Sequence, residues 1–268
     1  YNKPQYAWYN QYMYENSSYV SHETGKEAVW SLLWYDPDNA SLPEEGFALD
    51  KYYRSLETLG VNGIAMRSSW TDQDALYIAM RGGDQKASHS SLDAGGFVLD
   101  WAGKRFVHMY GRRVAGQASV YGWPNYHTKK ANGHYSYYHC RAEANNTIIA
   151  NPVQDDADMN ITYFAELIEG KSSANTAYGI INMTDTNADF EDAKRGLMMT
   201  DNREVIIIQD EIKANKPSEF YWFANTKADI TIAEDGKRVL LDMTGDKMLV
   251  RITQGPADAK LGVMMSQP

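Results

Sequence analysis

The sequence predicts a mainly β protein, a large antiparallel multi-sheet β-sandwich preceded by a helical segment. Three observations carry that expectation. From residue 46 onward, short runs of β-branched and aromatic residues alternate with turn residues. No amphipathic helical pattern separates those runs, as it would in a parallel α/β protein. Before residue 46 the spacing is different: apolar and aromatic residues recur every three or four positions.

Residues 1–36 read as helical, with Tyr6, Tyr9 and Met13 on one stripe and Ala28, Leu32 and Tyr35 on a later one. Asp36-Pro37-Asp38-Asn39 stops the second helix, because a proline disfavours the helical conformation of the residue before it. Pro43 to Gly46 forms a linker, which divides the chain into a helical segment (1–45) and a β domain (46–268). Strands are expected over 63–67, 75–80, 96–101, 104–110, 146–150, 179–183, 203–212, 220–225, 229–233, 238–242, 247–253 and 262–265. Tight hairpins are signalled at Trp101-Ala102-Gly103-Lys104 and Glu234-Asp235-Gly236-Lys237, where glycine supplies the positive φ of the turn. Strands in such number point to stacked antiparallel sheets.

Composition excludes several classes. A chain of 268 residues with 43% hydrophobic and 23% charged residues buries a sizeable core and has the make-up of a globular protein. No apolar run approaches the roughly 20 residues of a membrane-crossing helix, so no membrane partner is expected. The net charge of -9 argues against nucleic acid, whose binders carry a domain-wide basic footprint. Cys140 is the only cysteine, so no intrachain disulfide forms and a reduced, buried thiol is expected. The chain opens on Tyr1-Asn2-Lys3-Pro4 without an initiator Met or signal peptide, which reads as a processed or excised fragment. No phosphate-binding glycine loop, CxxC pair or GxSxG elbow occurs, and no cofactor is expected.

One stretch departs from the acidic average. Between Asp100 and Glu143 there is no carboxylate; instead there are Lys104, Arg105, Arg112, Arg113, Lys129, Lys130 and Arg141, four histidines, and aromatic residues including Tyr121, Trp123 and Tyr126. A cationic, aromatic strip on an acidic protein suits an anionic ligand with flat faces, such as a sulfated or carboxylated polysaccharide. The alternative is a solvated charged face. His127, His134 and His139 lack a compact ligand spacing, which argues against a metal built from them. His89 lies on a polar stretch feeding a strand, where an imidazole with a pKa of about 6.5 can act as a base or carboxylate-neutralising donor, or simply be a solvated loop residue.

Three segments together resemble the heparinase II/III-like family of polysaccharide lyases, with its oligo-alginate lyase relatives. His89-Ser90-Ser91-Leu92-Asp93-Ala94-Gly95-Gly96-Phe97, with Gly103-Lys104-Arg105-Phe106 after it, resembles the family's His-x-His-x-Asp-x-Gly-Ser-Phe hairpin and following Gly-x-Arg-Trp. Arg141-Ala142-Glu143-Ala144-Asn145-Asn146-Thr147 is similar to its Arg-x-Glu-x-His-Asn-Thr stretch, and Trp222-Phe223-Ala224-Asn225-Thr226-Lys227-Ala228 to its Trp-x-x-His-Thr-x-Ala strand.

The resemblance implies an α/α toroid followed by the sandwich, with residues 1–45 as the toroid's last helices and the substrate cleft between the two. It also implies β-elimination at a uronic acid, in a bacterial periplasm or outside the cell. That reaction needs the carboxylate neutralised, a base for the proton beside it, and a proton for the departing glycosidic oxygen. His89 matches the first motif histidine; Tyr126, in Trp123-Pro124-Asn125-Tyr126, matches a Pro-x-Tyr and is the candidate base; Arg113 is the candidate carboxylate clamp. Arg112, Trp123, Lys129 and Tyr121 are the candidate substrate-binding residues. Where family members hold zinc, this sequence has Ser91, Met109 and Asn145, so no metal is expected. A sandwich that binds polyanionic carbohydrate without catalysis is the competing expectation, and a module that only buttresses the toroid is a third.

Overall fold

The computed structural model describes residues 48–54, 61–85, 91–109, 135, 138–152 and 159–265. The helical segment expected over 1–45 and its linker lie outside the described residues.

Strands β1 (Lys51–Arg54), β2 (Val61–Arg67), β3 (Tyr77–Asp84), β4 (Phe97–Trp101) and β5 (Lys104–Val107) form a first antiparallel sheet in chain order. Strands β6 (Ile148–Ala150) and β7 (Phe164–Ala165) follow, β7 pairing with the end of β3. The second sheet contains β8 (Leu167–Ser172), β9 (Ala177–Asn182), β10 (Phe190–Thr200) and β11 (Val205–Ala214), again with sequence neighbours adjacent. Strand β12 (Phe220–Trp222) pairs with β6, and β13 (Asp229–Ile232), β14 (Arg238–Met243) and β15 (Asp246–Arg251) make a terminal three-stranded sheet. The structure is thus the multi-sheet antiparallel β architecture that the sequence predicts.

Alternation along the strands sets which face is buried. Ile64 and Met66 of β2, Ile78 and Met80 of β3, and Phe97 and Leu99 of β4 turn inward and join a core that includes Leu167, Ala177, Ile181, Leu197 and Met199 of the second sheet. Burying each large apolar side chain contributes roughly 1.5–3 kcal/mol relative to exposing it. The two sheets approach closely because Gly179 leaves room for Ile64: a Cβ there would overlap Ile64 Cδ1. The terminal sheet is pinned to the β4–β5 hairpin by Lys104, whose Nζ donates to Met243 O (2.8 Å), Thr244 Oγ1 (2.7 Å) and Asp246 Oδ2 (2.6 Å).

Several elements differ from expectation. The longest strand, β10, was not anticipated, because Glu191, Asp192, Lys194 and Arg195 interrupt its apolar pattern. β1, β7 and β8 are likewise additional; β8 exposes five of its six residues and so carries little hydrophobic signal. Residues 262–265 form no strand, with Val263, Met264 and Met265 all exposed. The turn at Ala102 (φ 51°) and Gly103 (φ 67°) is the tight hairpin expected. The second is looser: Gly236 (φ 66°) donates to Ala233 O at 2.9 Å, and Asp235 Oδ1 accepts from Lys237 N.

Candidate functional site

The three segments that carry the family resemblance meet at one buried residue. Asn146, held at φ 53°, donates from Nδ2 to Phe97 O (2.7 Å) and His108 O (3.0 Å), and its Oδ1 accepts from Asn225 N (2.7 Å) and Asn225 Nδ2 (2.8 Å). Asparagine suits this position because it tolerates the left-handed conformation and offers both donors and acceptors. Thr147 Oγ1 donates to Ala94 O at 2.6 Å, and Arg195 Nη1 reaches both Gly95 O (2.9 Å) and Asn146 O (3.2 Å).

Backbone hydrogen bonds hold the turn ahead of β4. Gly96 N donates to Asp93 O and Gly95 N to Arg81 O, both at 2.8 Å, and Leu92 N donates to Cys140 O at 2.8 Å. Gly95 has φ 69°, and a Cβ at Gly96 would overlap Asn145 O, so both glycines are geometric requirements. The Asp93 carboxylate pairs with the Arg81 guanidinium. Burial pulls the Arg81 pKa below its ordinary value, with Asp84 and Tyr135 opposing that shift. Cys140 is buried and forms no disulfide.

Ser91, Met109 and Asn145 do come together. Ser91 Oγ and Asn145 Nδ2 both lie 3.4 Å from His139 O, while Met109 Cε and Asn145 O both face Gly96. Their chemistry does not fit zinc. A hydroxyl, a thioether and an amide provide neither thiolate, imidazole nor carboxylate. Asn145 is instead committed to the backbone, donating to Arg141 O at 2.6 Å, and its Oδ1 is buried without a partner among the described residues. No group of three His, Cys, Asp or Glu among the described residues is placed to hold a metal ion.

Described members of the cationic strip serve the fold. Lys104 anchors the terminal sheet, Arg105 forms a forked pair with Asp100 (2.7 and 2.9 Å), and Arg141 pairs with Glu143 at 3.1 Å. Tyr135 is buried and donates to Gln85 O at 2.9 Å. His108 has its pKa lowered by burial, then by the nearby Lys227 and Arg105 charges, so it is neutral at pH 7. His89, Arg112, Arg113, Tyr121, Trp123, Tyr126 and Lys129 all lie outside the described residues.

An open groove of about 300 Å³ runs along the outer face of the first sheet. Its lining includes Gly63 and Ala65 of β2, Ala79 of β3, Gly96 and Met109, four small residues and one slender side chain. Ala65 pairs with Ala79 and Gly63 with Arg81, so the small residues lie side by side. Arg81 marks one end, beside Gly96, whose O accepts from Arg81 N at 2.8 Å. Arg67 marks the other, with its guanidinium carbon 3.5 Å from the Trp70 ring centroid and 5.1 Å from that of Tyr77. Burial raises the Tyr77 pKa above its ordinary value. Sequence reasoning did not single out Arg67, Trp70, Tyr77 or Arg81. The signal was present in the strand alternation Gly63, Ala65, Arg67 and Tyr77, Ala79, Arg81, which sets small residues between an aromatic and two cationic ones.

No protein-family model matches the sequence, and no curated protein matches it. Solved structures do. The heparan sulfate lyase HepC from Pedobacter heparinus superposes with a TM-score of 0.61 at 14% identity, over 85% of this chain and 34% of that one. A heparinase III gene product with methylated lysines gives a TM-score of 0.62 at 17% identity, over 83% of this chain and 32% of that one. The chain therefore spans about a third of the length of these lyases (34% and 32%). At such identity the likeness establishes a shared fold: this chain has the β architecture found in heparan sulfate lyases.

Proposed function

We propose that this chain is the sandwich region of a polysaccharide lyase that cleaves uronate-containing polysaccharide by β-elimination. The observation that carries the reading is the convergence of the three motif segments on Asn146, within a fold shared with heparan sulfate lyases. The groove adds to it. Met109 lines the groove and is followed in the chain by residues 110–134, which contain Arg112, Arg113, Tyr121, Trp123, Tyr126 and Lys129; His89 lies two residues before Ser91.

In this reading Arg113 and His89 neutralise the uronate carboxylate, which stabilises the carbanion formed when the adjacent proton is removed. Tyr126, as the phenolate, takes that proton and, now a neutral phenol, returns it to the glycosidic oxygen as the carbon–oxygen bond breaks, leaving a carbon–carbon double bond in the ring. Arg112, Trp123, Lys129 and Tyr121 hold the flanking sugars. Residues 1–45 end an α/α toroid and residues 46–268 form the sandwich, with the toroid contributing further catalytic groups in a longer protein exported to the periplasm or beyond.

A non-catalytic carbohydrate-binding sandwich is the second reading, favoured by the non-ligating chemistry of Ser91, Met109 and Asn145. Absorbance of the unsaturated uronate product separates the two. A protein extended upstream through the toroid should generate that product from heparan, hyaluronan or alginate, and His89→Ala should reduce the rate by about a hundredfold or more. Binding without any product would establish the second reading; undiminished turnover by His89→Ala would remove that residue from the mechanism.

A further inference from the structure

The second sheet ends differently on its two sides. Its β8 edge is blunted: the strand has a register shift between Leu167 and Glu169, exposes Glu169 and Lys171, and takes the Tyr52 hydroxyl on Lys171 O at 2.6 Å. Its β11 edge carries none of these devices. Val205–Ala214 runs ten residues, pairs with β10 from Val205 to Lys213 without a shift, contains no proline, and makes no backbone hydrogen bond beyond that sheet among the described residues. It also stays apolar to the rim. Ile206, Ile208 and Ile212 pack on the core yet remain partly exposed, whereas Leu197 and Met199 of β10, which has a strand on each side, are closed off (1% and 0% exposed). On the outward face Val205 and Ile207 are 41% and 42% exposed.

We propose that β11 is a homodimer interface, pairing antiparallel with β11 of a second copy so that the two four-stranded sheets become one. The inference is independent of the polysaccharide reading. A long open edge leaves a row of N–H and C=O groups that another strand satisfies, and antiparallel pairing of identical strands closes under two-fold symmetry. Side-chain parity admits only registers that set inward residues against inward ones. Of these, the register centred on Gln209 engages the whole strand from Val205 to Lys213 and places no like charges opposite each other. On the core side it sets Ile206 against Ile212 of the second copy and Ile208 against Asp210, whose charge is matched within its own chain by the Arg195 fork at 2.7 and 2.9 Å. On the outer side it sets Ile207 against Glu211, and Val205 against the alkyl stem of Lys213, whose charge pairs with Glu191. At the axis Gln209 meets itself. Its Nε2 donates to Glu211 Oε1 at 2.8 Å, which leaves Oε1 and the second amide hydrogen for the amide of the other Gln209. Centring on Asp210 would instead oppose two carboxylates, and centring on Ile208 would run Ile212 and Lys213 past the end of the opposing strand. Self-complementarity about one residue is what an isologous contact requires and a foreign strand does not, which favours a second copy as the occupant.

Sedimentation equilibrium of the 268-residue chain over about 1–100 μM, the range in which a modest interface dissociates, tests the pairing. A mass rising to twice that of one chain and no further is expected. The mass of a single chain at every concentration, or growth beyond two, overturns the proposal. Ile207→Glu faces Glu211 of the second copy on both sides of the axis and should raise the dissociation constant about tenfold or more. Ile207 is exposed on the outward face, so the monomer should tolerate the change, which near-ultraviolet circular dichroism checks. Gln209→Cys reads the register directly. Paired positions lie about 4.5–5.5 Å apart between Cα atoms, within reach of a disulfide, so mild oxidation should link this variant into covalent dimers; Lys213→Cys, about eight residues along the strand from its own counterpart, should not link. Cys140 is buried and contributes no linkage. A dimer unaffected by a folded Ile207→Glu, or one linked through Lys213→Cys as readily as through Gln209→Cys, places the contact elsewhere and overturns the assignment to β11.

Discussion

His108 shows how a residue's surroundings override its type. In the sequence it is one of four histidines in a cationic strip; in the fold it is half-buried beside Lys227 and Arg105, and its carbonyl is tied to Asn146. Burial and the two neighbouring charges both oppose protonation, so its pKa is lower folded than unfolded. Below an unfolded value of about 6.5 the unfolded chain therefore binds more protons, and stability falls as the pH drops from there toward the folded pKa. His108→Gln should flatten that part of the curve, measured as denaturant midpoint between pH 7 and pH 5. An unchanged slope would show that His108 titrates alike in both states. Lys104, Arg105 and Arg141 were legible as cations in an acid-free window, but their partners were not. Asp246, the partner of Lys104, lies on a separate sheet and Asp100, the partner of Arg105, across the β4–β5 hairpin, while Arg141 pairs with Glu143 only two residues along the chain.

Strand β10 shows the same effect for an element. Its Arg195 has no exposed surface, which sequence periodicity assigns to an apolar residue. The charge is tolerated because Nε and Nη2 fork onto Asp210 of β11 at 2.7 and 2.9 Å, while Nη1 satisfies Gly95 O and Asn146 O. The cross-strand register places Arg195 opposite Asp210, so the pair forms only once β10 and β11 are in register. Asp210→Ala would leave a buried guanidinium uncompensated, and we expect a loss of about 3–5 kcal/mol in equilibrium unfolding. A loss below 1 kcal/mol would mean that the backbone carbonyls suffice. The strands that were recognised, β2, β4, β13 and β14 among them, are runs rich in aliphatic residues that end at turn residues. Those that were missed are short, exposed or interrupted by paired charges.

Across the whole molecule, packing is carried by apolar sheet faces and by a few long-range polar anchors. Asp50, buried ahead of β1, is held by Arg203 through both carboxylate oxygens (2.8 and 2.7 Å), and the same Arg203 also donates to Arg67 O at 3.0 Å. The far end of the groove is thereby tied to the loop between β10 and β11. The junction of Ser91, Asn145 and the His139 carbonyl is likewise made by direct hydrogen bonds. Exhaustive chelation should therefore leave the melting temperature unchanged. A drop on chelation, restored by zinc, would show that this junction does accept a metal. The amino-acid sequence by itself determined the fold class, the β4–β5 hairpin and the three motif segments, because alternation, glycine-bearing turns and short motifs are local properties of the chain. Only the tertiary structure decided that those segments meet at Asn146, that the described strip cations are internally paired, and that Arg67 and Arg81 bound one groove. Each depends on strand register and sheet stacking, which bring together residues far apart in the chain.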